Sequence, residues 1–177
     1  MIDKEIEKAL NDQINAEFYS SYLYLSMAAY FESVDLVGCA QWMKAQTQEE
    51  LVHAMKMYGF VAGRGGRVRL EAIKGPKKDW SSALNVFEDG LKHEQDVTGR
   101  IGSLVELALS KKDHATNIFL QWFVTEQVEE EASFNAVIQR LKLAGATPGG
   151  LFMIDRELGG RVFQAASPAE QDAAKQA

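Results

Sequence analysis

Glu17, Glu50, His53, Glu94, Gln127 and Glu130 stand where stripes of apolar residues at helical spacing ought to continue. Glu17 falls in the step from Ile14 to Ser21, Glu50 and His53 in the run Met43, Thr47, Met57, Glu94 between Leu91 and Val97, and Gln127 with Glu130 between Phe123 and Phe134. Burying one carboxylate without a partner costs several kcal/mol, and burying several together adds their mutual repulsion. No Lys or Arg occupies these positions, and His53 alone does not neutralise so many acids. Metal ions do. Glu50-Leu51-Val52-His53 is an E-x-x-H pair at i, i+3, which aims a carboxylate and an imidazole from one helix face at one centre, as in the carboxylate di-iron bundles. Cys39 is the single cysteine, so thiolate zinc is excluded, and oxygen ligands with one imidazole suit iron or manganese.

A lone Glu on a stripe is usually a snorkelling side chain, and E-x-x-H alone arises by chance. The coincidence carries the argument: each of four helices is interrupted, and each near its middle, at about residues 17, 50, 96 and 129. Packing side by side then brings all four interruptions to one height.

The elements that position them are legible from apolar spacing and from three prolines, Pro76, Pro148 and Pro168, which fall between or after long stretches without any. The first helix runs from about Asp3 to Phe31 on Ile6, Leu10, Ile14, Ser21, Tyr24 and Ala28. A turn at 32–35 leads into a second, carried by Leu36, Ala40, Met43, Thr47, Ala54, Met57 and Val61 to near Gly63. From Arg64 to Trp80 periodicity disappears. About 17 extended residues reach on the order of 55 Å, more than the roughly 42 Å of a 28-residue helix, so this crossover lets the second and third helices run parallel. Ser81 or Ser82 caps the third helix, with stripe Leu84, Phe87, Leu91, Val97, Ile101, Leu104 and Ala108, ending near Ser110. Asp113 caps the fourth, whose apolar face is Phe119, Trp122, Phe123, Phe134, Val137, Ile138 and Leu141, and Gly145 with Pro148 stops it. A short fifth helix is expected over Leu151 to Leu158. The fold class is all-α: a four-helix bundle over 1–160 with a long crossover and a short fifth helix, followed by a loose tail over 161–177.

The chain has 177 residues, 46% of them apolar, enough for one domain with its own core. The formal charge of -6 disfavours phosphate binding, so no nucleic-acid partner is expected, and cations are favoured. No stretch is apolar for long enough to span a bilayer, and the first residues carry acids where a secretory signal carries bases, so no membrane association and a cytoplasmic location are expected.

Glu17, Glu50-x-x-His53, Glu94 and the run Glu126-Gln127-Val128-Glu129-Glu130 resemble the ferroxidase centre of the bacterial non-haem ferritins. Asn15 to Ser21, Phe119 to Phe123 and Met153 to Leu158 agree, and the resemblance reaches almost to Leu158. It implies one iron on Glu17, Glu50 and His53, a second on Glu50, Glu94 and Glu130, with Glu50 bridging and Gln127 as a hydrogen-bonding neighbour. It also implies a third iron on Glu49, Glu126 and Glu129, sharing Glu130, and oxidisable aromatics at Tyr24 and Trp122, for which plain core packing is an equal reading. Haem-containing bacterioferritins have a methionine after the bridging glutamate and a second E-x-x-H on the last long helix; Leu51 and Gln127-Val128-Glu129-Glu130 stand here, so haem is not expected. Asn117 and Leu120 take positions where animal ferritins place pore acids. His93 and His114 are read as solvated surface residues.

The implied activity is oxidation of Fe(II) by dioxygen or peroxide, with ferric product stored inside a hollow homo-oligomer of twenty-four copies. Two alternatives remain open at this point: a di-iron peroxidase or oxygenase of ferritin-like fold, against which the missing rubredoxin-like cysteines count, and a metal-free bundle whose polar layer fixes helix register.

Overall fold

The computed structural model describes residues 2–145 and 147–163 and contains five helices: α1 Lys4–Ser33, α2 Val37–Gly63, α3 Ala83–Ser110, α4 His114–Ala144 and α5 Pro148–Leu158. The described residues contain no strand, and no helix among them is long and apolar enough to cross a membrane. The expected tail lies for the most part outside the described residues.

Helix starts follow the caps in the sequence. The Asp3 carboxylate accepts from Glu5 N and Ile6 N, Ser82 Oγ from Asn85 N, and Asp113 from Thr116 N, so each satisfies amides that the first turn leaves unpaired. The α1–α2 and α3–α4 turns each hold one non-glycine residue in the left-handed region, Asp35 at φ 58° and Lys112 at φ 56°. At the end of α4, Gly145 takes φ 60°. Pro148 then opens α5, which therefore starts three residues before the expected Leu151. The reason is that proline is well suited to a first helical turn, where its missing N–H is not needed.

Contacts across the bundle fix its directions. Trp42 meets Phe134, His53 meets Phe123 and Phe60 stacks on Phe119, so α2 and α4 are antiparallel. Glu88 pairs with Lys142 and Gln127 bonds Glu94, so α3 also opposes α4, and α2 and α3 run parallel as the long crossover requires. That crossover lies along α1. Asn11 Nδ2 donates to Arg67 O at 3.1 Å, Arg69 N donates to Asn11 Oδ1 at 2.6 Å, and Ser26 Oγ donates to Lys77 O at 2.7 Å.

The apolar interior is in two parts. One gathers Tyr24, Met27, Phe31, Trp42, Phe87 and Phe134 at the end nearest α5; the other gathers Ile6, Leu10, Met57, Ile101, Leu104 and Phe123 at the opposite end. Between them lies a buried polar layer of Glu17, Gln46, Glu50, His53, Glu94, Gln127 and Glu130. Leu120 is wholly buried in the second cluster.

Helix α5 packs across α2 and α4. The approach is close: a Cβ on Gly38 would sit 1.6 Å from Asp155 O, and Asp155 Oδ1 accepts from Cys39 N at 2.8 Å.

Candidate metal centre

Each long helix contributes to the polar layer because its stripe residue at mid-length points inward with the apolar neighbours a turn away on either side. Among the described residues, Glu17, Glu50 and His53 place ligand atoms within 4.8 Å of one another, and all three are buried. His53 Nδ1 lies 3.4 Å from Glu50 Oε2. On the other side of the ring, His53 joins Glu126 and Glu130 in a second such group, with Nε2 3.9 Å from Glu126 Oε1. His53 thus stands between two clusters of acids.

Glu94 is buried at the same level but belongs to neither group. Its Oε1 accepts the Tyr24 hydroxyl and its Oε2 accepts Gln127 Nε2 at 3.1 Å. Gln127 also donates toward Glu94 O at 3.3 Å. These bonds hold the carboxylate that the resemblance places on a second iron. Of the residues implied for a third iron, Glu126 is half-buried beside His53, Glu129 is exposed, and Glu49 is half-buried and paired with Arg161.

Two further glutamines were not singled out from the sequence. Gln13 Nε2 donates to Glu17 Oε1 at 2.9 Å, and Gln46 Nε2 donates to Glu130 Oε2 at 2.6 Å and reaches Glu50 Oε1 at 3.5 Å. Both lie four residues before a glutamate of the layer, one turn away on the same face, which is the signal that could have found them.

The electrostatics are those of acids short of cations. Burial pushes Glu17 and Glu50 well above the usual carboxylate range, and the neighbouring charges, Glu50 on Glu17 and Glu94 with Glu130 on Glu50, push further. Burial, then Glu94, raises Glu130 to about 8, and burial raises Glu94, Glu126 and Glu49. Tyr24 is raised by burial and by Glu94, so its hydroxyl stays a donor. Glu17 Oε2 is buried without any hydrogen-bond partner. An unpartnered carboxylate oxygen beside Glu50 and His53 fits a hard cation bound by oxygen and imidazole, which would satisfy it and displace the protons.

The aromatics differ in setting. Tyr24 is fully buried, with its ring 5.6 Å from Phe134. Trp122, expected on the apolar face, is 37% exposed at the rim, edge-on to His53 at 5.4 Å and with Lys56 Nζ 3.9 Å from its ring centre. Its stripe position lies on the flank of α4, beyond the reach of the core. His93 also differs from expectation. It turns into the α1–α3 seam, 2.7 Å from Ser20 Oγ and against the rings of Tyr19 and Tyr24, and burial lowers it to about 4. His114, at the exposed start of α4, is on the surface as expected.

Carboxylates from all four long helices and one histidine converging on the middle of the bundle are the arrangement of the carboxylate metal-binding bundle proteins. The model of the ferritin-like domain family matches residues 7–144. A bacterial non-heme ferritin of Bacteroides fragilis (strain 638R) is 44% identical over 161 residues, 91% of this chain and 100% of that protein. One from Staphylococcus aureus (strain MRSA252) is 41% identical over 163 residues, 92% and 98% of the two chains. The solved structure of a novel open pore ferritin from the hyperthermophilic archaeon Archaeoglobus fulgidus superposes with a TM-score of 0.91 at 52% identity, covering 92% of this chain and 100% of that one. An engineered closed form of the same archaeal ferritin gives a TM-score of 0.92 at 52% identity, covering 93% and 100%. The chain belongs to the ferritin family, with the bacterial non-heme ferritins as relatives over nearly its whole length.

Proposed function

We propose that this protein stores iron and acts as a ferroxidase, taking Fe(II) as substrate, oxidising it with dioxygen or peroxide, and retaining the ferric product inside a hollow assembly of about twenty-four copies. The observation that carries the reading is the buried Glu17, Glu50 and His53 group, with one carboxylate oxygen left unpartnered in it. The archaeal and bacterial ferritins that cover the same length support the storage role.

In this reading Glu17, Glu50 and His53 receive one Fe(II), and Glu50, with Glu130 and Glu94, receives a second. Each Fe(II) gives up one electron, and dioxygen accepting two electrons and two protons leaves as hydrogen peroxide. The carboxylates neutralise the ions and favour the ferric state, because anionic oxygen binds the higher charge more strongly. Their raised proton affinity makes binding an exchange: arriving iron displaces protons from Glu50 and Glu130. Gln13, Gln46 and Gln127 hold Glu17, Glu130 and Glu94 in place, and two apolar clusters close the layer from both ends.

Aerobic addition of Fe(II) tests the reading: rapid ferric absorbance with many irons retained per soluble particle is expected. Glu50→Ala should slow oxidation by about a hundredfold or more while leaving the assembly's size unchanged. A variant as fast as the parent would remove Glu50 from the reaction, and turnover of an organic substrate without retained mineral would replace storage with oxygenase chemistry.

A further inference from the structure

Arg161, just beyond α5, reaches back over α2. Its main-chain carbonyl accepts from Gln41 Nε2 at 3.4 Å, its guanidinium lies 4.2 Å from the centre of the Trp42 ring, and its Nη2 donates to Glu49 Oε2. Both partners of the ion pair are largely shielded, with side chains 22% and 23% exposed. Arg161 Nη1 is buried with no hydrogen-bond partner, so the guanidinium is held there by Glu49 and by the Trp42 face. The residue lines a depression of about 340 Å³ together with Trp42, Ser133, Arg140 and Glu157, in the groove between α2 and α4.

Glu49 precedes Glu50 on α2 but is half-buried where Glu50 is buried, and it meets the guanidinium of Arg161. Its charge is felt by Glu130, and it in turn feels His53 and Glu126. The outer side of His53 gathers Glu126 and Glu130. Glu49 acts on the same acids; its own cation is the guanidinium of Arg161, while Lys56 acts on Glu126.

We propose that Arg161 is an internal counter-ion standing in the place of a metal at Glu49, and that it keeps a third Fe(II) off the outer side of the centre for as long as the Arg161–Glu49 pair holds. This rests on the proposed function, because it presupposes Fe(II) on Glu17, Glu50 and His53. A guanidinium and a divalent cation compete for the same carboxylate charge. The arrangement makes the number of metals held per chain depend on a contact from the end of the bundle.

The test is anaerobic titration of the assembled protein with Fe(II), followed by calorimetry, for the parent, Arg161→Gln and Arg161→Lys. The parent should saturate at about two Fe(II) per chain, and Arg161→Gln should take one more, at least about tenfold tighter than any third binding in the parent. Arg161→Lys, which keeps the charge, should stay with the parent, and adding Glu49→Gln to Arg161→Gln should abolish the third step. Arg161→Met, which keeps the packing on Trp42, serves the same purpose if the Gln variant does not assemble. A third step unchanged in both neutral variants overturns the proposal, as does a parent that takes three with Arg161 in place, and both outcomes leave the ferroxidase reading standing. A parent that binds no Fe(II) overturns the ferroxidase reading, and this proposal with it.

Discussion

Gln46 Nε2 donates to Glu130 Oε2 at 2.6 Å, joining α2 to α4 across the polar layer. The bond fixes one oxygen of a buried carboxyl whose charge Glu94 opposes. Groups that orient metal ligands typically contribute ten- to a hundredfold in affinity. Gln46→Leu should therefore weaken anaerobic Fe(II) binding by about tenfold or more with the assembly intact. Affinity equal to the parent's would show that Glu130 needs no such support.

Tyr24 and Glu94 make a sharper test. The buried hydroxyl occupies Glu94 Oε1. Tyr24→Phe frees that oxygen, so the metal-free protein should lose about 1–3 kcal/mol, the usual cost of a buried acceptor left unmade, while Fe(II) binding tightens. Chemical denaturation and anaerobic titration read the two effects separately. Slower oxidation at unchanged affinity would assign the tyrosine an electron-transfer role instead.

The pH dependence of the metal-free protein follows from Glu130. Its folded value of about 8 lies above the ordinary 4.5, so the fold binds the proton more tightly than the unfolded chain does. The stability this contributes is fully present below about 4.5 and is lost as pH rises through about 8. Burial raises Glu17, Glu50 and Glu94 in the same direction. The melting temperature of metal-free protein should fall across that window, more steeply than that of Glu130→Gln. Bound metal should reverse the trend, since it takes the deprotonated carboxylates; a metal-free profile flat from pH 5 to 8 would contradict the burial of these acids.

Two glycines of α2 should respond in opposite ways. At Gly38 a methyl group would meet the Asp155 backbone at 1.6 Å, whereas at Gly59 nothing lies within 4 Å. Gly38→Ala should destabilise by about 1–3 kcal/mol or more by forcing α5 off α2. Gly59→Ala should stabilise by about 0.5–1 kcal/mol, the ordinary gain of alanine in a helix. Thermal unfolding of the two variants checks both signs.

Much of the bundle was legible because its signals are local. Caps at Asp3, Ser82 and Asp113 and stripes at a spacing of three and four depend on residues within a turn or two. The level of Glu17, Glu50, His53, Glu94 and Glu130 was legible for the same reason, since a break at mid-helix is visible wherever the helices pack. Trp122 and His93 were misplaced because a stripe has edges: the rim of α4 and the α1–α3 seam differ by a fraction of a turn from the core and the surface. Gln13 and Gln46 were overlooked because a neutral amide on a stripe signals nothing until its carboxylate partner is known.

The sequence by itself determined that these acids lie indoors, where protons or a cation must neutralise them, because periodicity places them there and burial penalises a bare charge. Only the tertiary structure decided how those acids are divided. Glu17 and Glu50 gather on one side of His53 and Glu126 and Glu130 on the other, Glu94 is held by Tyr24, and Arg161 settles on Glu49. The pairs that make this division are separated by up to 112 residues in the chain, and their contacts depend on helix rotation and on where α5 docks, which no local pattern encodes.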